Sequence, residues 1–203
     1  MTPSAAGRAL LAWLAEAGSA AEIALFDGAG PGTATALEAI RRHLPGIDAS
    51  GLTPRPSTRD ELLGDWYDEA IGGLRRRGDW RLADGGRAVD PPLGTLDDWP
   101  KGGSYSHGDR GRTGRAIGLG YAVSCPVYGL SVPPRAVDRA FGELVGLVAP
   151  CGEDVAILDW TGPALRGAHP HFDAGFEWWG VMLATVHRPG IGRIAVISAS
   201  DTD

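Results

Sequence analysis

Residues 176–200 read FEWWGVMLATVHRPGIGRIAVISAS: two apolar runs rich in β-branched residues, 176–187 and 193–200, separated by RPGIG. Runs of this kind around a short Pro/Gly-rich connection predict a β-hairpin. A third run, 154–161, carries Val155-Ala-Ile-Leu158 between Gly152 and Gly162, and its β-branched content predicts another strand. Between the third run and the hairpin lies a polar cluster, His169-Pro-His171-Phe-Asp173. These fifty residues predict a sheet-based core with a polar group at its rim.

Working outward, Pro133-Pro134 opens a helix over 135–148, with Val137, Ala140, Phe141, Leu144, Val145 and Val148 on its inner stripe. Residues 119–132 read as a strand interrupted at Pro126. Nearer the N-terminus, 9–17 has helical period, with Leu10, Trp13, Leu14 and Ala17 on one stripe. A short strand, Glu22-Ile-Ala-Leu-Phe26, then meets a glycine turn, and a helix follows over 33–43. Capping-box patterns at Ser57 and Thr58 predict a helix over 57–77, ending in Arg75-Arg-Arg77-Gly78, where the cations would oppose the helix dipole. Residues 84–118 lose all period and read as a long irregular loop, locally basic through Lys101, Arg110, Arg112 and Arg115.

A chain of 203 residues suits one domain, spanning 1–203, and would bury about 70% of its unfolded surface. The expected fold is α+β: a mixed, largely antiparallel sheet of about five strands with helices packed mainly on one face. A doubly wound α/β sheet is the alternative.

Composition narrows the function classes. Hydrophobic residues are 43% and charged residues 22%, and no apolar run approaches the roughly 20 residues that span a bilayer. A net charge of −6 argues against a nucleic-acid partner, whose affinity comes from cationic neutralisation of phosphates, and suits a basic protein partner. Cys125 and Cys151 read as buried free thiols, and the apolar run at 9–15 meets Glu16 too soon for a signal peptide, so the cytoplasm is expected.

Three constellations carry chemistry. The turn Asp27-Gly-Ala-Gly-Pro-Gly32 sits between a strand and a helix, where backbone amides and a helix N-terminus can approach a nucleotide. With Asp48 after a possible second strand and Asp79-Trp-Arg-Leu-Ala-Asp84 as a third, the chain resembles class I S-adenosylmethionine-dependent methyltransferases. That resemblance implies a doubly wound sheet and S-adenosylmethionine held at Gly28, Gly30 and Gly32, with Asp27 or Asp48 contacting it. The chain departs from the family's pattern at Phe26, where the family carries its acid. The His169-x-His171 pair with Asp173 suggests a metal-dependent hydrolase, since alternate residues of an extended segment share a side and imidazole suits zinc or iron. Finally, Trp178 and Trp179 point to opposite faces if both lie in a strand, so both are buried only where the sheet is covered on both sides. Together with Glu177 and the loop residue Tyr105 they form the expected partner-binding surface. The leading expectation is a non-catalytic cytoplasmic binding protein of bacterial type, immunity-like or adaptor-like, that needs no cofactor.

Overall fold

The computed structural model describes residues 1–104, 118–173, 175–176 and 179–200. At its centre β10 (Val181–Arg188) and β11 (Arg193–Ser200) form an antiparallel hairpin, in register from Val181 opposite Ser200 to Arg188 opposite Arg193. A single 3-10 turn, Pro189–Ile191, joins them, and Gly192 takes the left-handed conformation that lets the chain re-enter. The first strand begins at Val181 rather than 176: Gly180 donates its N–H to the Gly175 carbonyl at 2.7 Å, closing a turn that holds Trp179 outside the strand.

Side chains of this hairpin are buried on both faces. Met182, Ala184, Val186, Ala195, Ile197 and Ala199 join one core, while Val181, Leu183, Ile194 and Val196 join another on the opposite side. Two further strands flank the hairpin, β2 (Ala21–Asp27) beside β11 and β9 (Ala156–Asp159) beside β10. The short edge strands are β1 (Thr2–Pro3) and β3 (Arg55–Ser57), giving the order β1-β2-β11-β10-β9-β3. Every neighbouring pair is antiparallel, so the fold is α+β, and the parallel crossovers of a doubly wound sheet are absent among the described residues. Both edges carry a proline, Pro3 and Pro56, which removes a donor from the open side of each.

The two faces are covered unequally. Helices α1 (Arg8–Ala17), α3 (Arg59–Leu63), α4 (Leu119–Ser124) and α5 (Pro134–Val148) pack on one face; α2 (Thr33–His43) and the single turn α6 (Pro170–Asp173) cover the other. The stripe Val137, Ala140, Phe141, Leu144, Val145 and Val148 of α5 faces inward as its period requires.

Three stretches depart from the sequence pattern. The expected helix over 57–77 stops at Leu63. Its capping box forms, with Thr58 Oγ1 accepting from Glu61 N at 3.2 Å, but Gly64 turns the chain with φ 73 and its backbone lies directly against Gly118. A Cβ on Gly118 would stand 2.5 Å from Gly64 Cα, so only glycine permits this approach. Beyond it the chain forms a small hairpin, β4 (Tyr67–Asp68) with β5 (Gly73–Leu74). The arginines therefore cap no helix: Arg75 Nε donates to Asp68 Oδ2 at 2.5 Å and Arg77 Nη1 to Asp90 Oδ2 at 2.9 Å. Second, the expected strand over 119–132 begins as α4, all six of whose residues are buried; an element with no polar face has no period to read. Third, the described part of 84–118 contains β7 (Arg87–Val89) and β8 (Lys101–Ser104), which flank β6 (Asp79–Arg81) in a three-stranded antiparallel sheet.

Leu183 is fully buried in the central hairpin. Leu183→Ala is expected to lower the unfolding free energy by about 2–5 kcal/mol, because it removes transfer energy and leaves a cavity that a two-sided sheet cannot close. Equilibrium urea unfolding followed by tryptophan fluorescence measures this.

Candidate functional site

Polar side chains converge on the sheet face under α2 and α6. Ser198 of β11 and Glu22 of β2 are direct cross-strand partners, so both side chains point to this face. On α2, His43 follows Ala36, Ala39 and Ile40 along the inward stripe, which delivers its ring to the sheet. His43 Nε2 and Ser198 Oγ share a hydrogen bond of 2.9 Å. From α6, His171 brings Nδ1 to 3.9 Å from Glu22 Oε1, while its buried Nε2 has no partner among the described residues. His169 Nδ1 accepts the His171 backbone N–H at 3.2 Å, and the two rings stand 6.4 Å apart.

Burial holds both His43 and His171 below the ordinary imidazole value of 6.5; the Glu22 carboxylate opposes the effect, and the neighbouring histidines reinforce it. The bond between His43 and Ser198 is thus a hydrogen-bonded contact between helix and sheet. A serine beside a histidine has the elements of a nucleophile and its base. Ser198, however, is 0% exposed in a strand paired on both sides, and no substrate atom can reach its hydroxyl in this conformation.

The proposed metal ligands His169, His171 and Asp173 do not converge. Asp173 Oδ1 accepts the Gly167 N–H at 3.0 Å and closes its own loop. Among the described residues no group of three His, Cys, Asp or Glu side chains is placed to hold a metal ion.

The glycine turn does join β2 to α2, with Gly28 and Gly32 at positive φ and Gly30 between them. Its backbone is engaged internally: Ala29 N–H donates to the Gly192 carbonyl at 2.8 Å, and His187 Nε2 donates to the Ala29 carbonyl at 3.2 Å. Asp27 Oδ1 accepts from Arg193 Nε at 2.7 Å; the Ser4 hydroxyl and this guanidinium hold its carboxyl below the usual range. Asp48 Oδ1 accepts from Ser50 N at 3.0 Å, and its own N–H donates to the Ala168 carbonyl. Since α2 carries the chain back along the sheet, Asp27 and Asp48 lie at opposite ends of it.

Of the expected partner-binding residues, Trp179 is 4% exposed, donating Nε1–H to the Cys125 carbonyl at 2.9 Å and packing 5.3 Å from the Tyr121 ring. Tyr105, Glu177 and Trp178 lie outside the described residues. Of the two free cysteines, Cys125 is half-buried, but Cys151, on the turn after α5, is exposed rather than buried.

The sequence reading missed two features. His43 could have been found from its place on the α2 stripe. The other is a surface turn at 126–130, whose Tyr128 is 77% exposed. Main-chain hydrogen bonds hold the turn: Gly129 N–H donates to the Pro126 carbonyl at 3.1 Å, and Ser131 N–H donates to the Ala17 carbonyl at 3.0 Å, seating the turn on the C-terminus of α1.

Because His43 and His171 titrate lower in the folded chain than unfolded, the unfolded state takes up protons first on acidification. Their stabilising contribution is complete above the unfolded value of 6.5 and is lost progressively as pH falls from there through their lower folded values. The melting temperature is expected to drop between pH 7.5 and about 5, with a shallower slope in His43→Gln; thermal melts across that range measure both. Comparisons with protein-family models, curated proteins and solved structures find no match to this chain.

Proposed function

We propose that this chain is a non-catalytic binding domain for a basic protein, of the immunity or adaptor type found in bacterial cytoplasm. The observation that carries this reading is Tyr128, standing 77% exposed on a hydrogen-bonded turn. Tyrosine is enriched at interface centres because it offers a large amphipathic surface with few torsions to freeze, and a turn already held by hydrogen bonds adds little ordering cost on association.

Its surroundings favour a cationic partner. The turn abuts the C-terminus of α1, the negative pole of that helix, where no basic residue occupies the last turn and Glu16 is exposed. A net charge of −6 adds a long-range attraction that would steer a basic protein towards this surface.

The full chain, immobilised and exposed to an extract of its native host, is expected to retain a basic protein in stoichiometric amount. Tyr128→Ala should weaken the purified complex by about tenfold or more without changing the melting temperature, as truncation of a central aromatic anchor does. An unchanged affinity in the variant, or no stoichiometric partner, counts against the reading. Thermal shift with S-adenosylmethionine and S-adenosylhomocysteine serves as the control: a clear stabilisation by either would assign a cofactor-dependent activity in place of the purely binding one.

A further inference from the structure

The order β7-β6-β8 leaves β7 at one edge of the small sheet. Two flanking bonds set the phase of its ladder with β6: Asp90 N–H donates to the Gly78 carbonyl and Leu82 N–H to the Gly86 carbonyl, each at 2.8 Å. Bonded positions of an antiparallel pair recur at every second residue, so Trp80 and Ala88 exchange the bonds between these two, and the N–H and C=O groups of Arg87 and Val89 point away from β6. Those outward groups have no main-chain partner among the described residues. Both edges of the large sheet are blunted by proline, whereas β7 holds none and pairs with β6 without a bulge.

Side chains give this edge a chemistry. Asp79, Arg81, Arg87 and Val89 share one face, with Lys101 of β8 opposite Arg81, while Trp80 and Ala88 face the other way. The Trp80 side is the inner one: a Cβ on Gly103 would stand 2.4 Å from its ring, and its indole donates to the Arg77 carbonyl at 2.8 Å. The charged side is outward, with Arg81, Arg87 and Lys101 exposed and Val89 at 75% exposure. Those cations outnumber the carboxylate among them, Asp79, which accepts from Arg87 Nε at 3.2 Å and from its Nη2. Arg81 and Lys101 pair with no carboxylate among the described residues. The face is thus locally basic in a chain of net charge −6.

We propose that the open edge of β7 docks an acidic peptide segment of a partner as an added antiparallel strand. The peptide's main chain bonds the outward groups of Arg87 and Val89; its residue opposite Val89 is apolar, and the residue two places later, opposite Arg87, is acidic. A second copy of this chain fits the edge less well, because antiparallel pairing about Ala88 would gather Arg81 and Arg87 of both copies on one face. This site is independent of the Tyr128 surface and takes a partner of opposite charge.

The end-blocked peptide Thr-Val-Thr-Glu-Thr, titrated into the full chain, tests the assignment through amide chemical shifts and hydrogen exchange. It is expected to shift and protect the Arg87 and Val89 amides, which exchange freely in the chain alone. Replacing its Glu by Lys should weaken binding about tenfold, as a like charge set against Arg87 does. N-methylation of that Glu keeps its charge but removes the donor to the Arg87 carbonyl, and should weaken binding about threefold or more. Val89→Pro removes one outward donor and leaves the bonds to β6 intact, so the folded variant should lose the peptide. Arg87 and Val89 amides that stay unprotected with the peptide, equal binding of the Lys or N-methyl peptide, or unchanged affinity in a folded Val89→Pro variant would each overturn the proposal. Protection of both amides in the chain alone, with a dimer in sedimentation, would overturn it by giving the edge to a second copy. Should the proline variant fail to fold, amide protection in the wild-type chain and the N-methyl peptide decide.

Discussion

Burial of the β10–β11 hairpin on both faces is the constraint from which the remaining architecture follows. A ribbon with no polar face cannot stand in water, so the chain must supply two cores rather than one. It does so asymmetrically: four helices on one side, and α2, α6 and their connecting loops on the other. An unpaired buried donor costs about 1–3 kcal/mol, and apart from His171 Nε2 the polar groups named inside the thinner layer find partners. Trp160 Nε1 donates to Thr185 Oγ1 at 2.9 Å, His187 reaches the Ala29 carbonyl, and His43 meets Ser198. The cluster that looks most like chemistry is in this sense a consequence of covering the sheet.

That constraint explains what could be read from the sequence. The hairpin, α2 and α5 were legible because each has a strong local signature: two β-branched runs about a Pro/Gly turn, and apolar stripes at helical spacing beside polar ones. The helix over 57–77 was not, because its apolar residues keep helical spacing after Leu63 while one tertiary contact, Gly64 against Gly118, redirects the chain. Glycine at a distant position carries no local mark of such a contact. Segment 119–124 failed for the opposite reason, being buried all round. The candidate sites were less legible still. His43 and Ser198 are 155 residues apart in the chain, so their grouping leaves no spacing motif.

Arginine does much of the joining between elements. Arg59 donates to the Ala149 carbonyl at 2.9 Å, tying α3 to the end of α5, and Arg188 bonds both the Leu147 carbonyl and Glu153. Arg55 of the edge strand β3 reaches Asp159 of β9 at 2.8 Å. Exposed ion pairs of this kind contribute little individually, about 0–1 kcal/mol. Their worth here is geometric: a fork that bonds a main-chain carbonyl and a carboxylate together fixes the angle between two elements, which a lysine cannot do as well.

Strand direction decides what the glycine turn can be. In a parallel sheet all strands end on one side, and the loops above them open a crevice into which a strand-end carboxylate and glycine amides can point together. In an antiparallel sheet each strand end is flanked by the beginning of its neighbour. Where β2 ends at Asp27, β11 begins at Arg193, and the two side chains close on each other at 2.7 Å. The next residues meet the same fate, since the Ala29 N–H is taken by Gly192 and its carbonyl by His187. A strand-turn-helix with three glycines can thus arise wherever a strand must hand over to a helix packed back across it. Whether such a turn presents its amides to a ligand or closes on its own sheet depends on the neighbour's polarity, which sequence spacing within the turn does not encode.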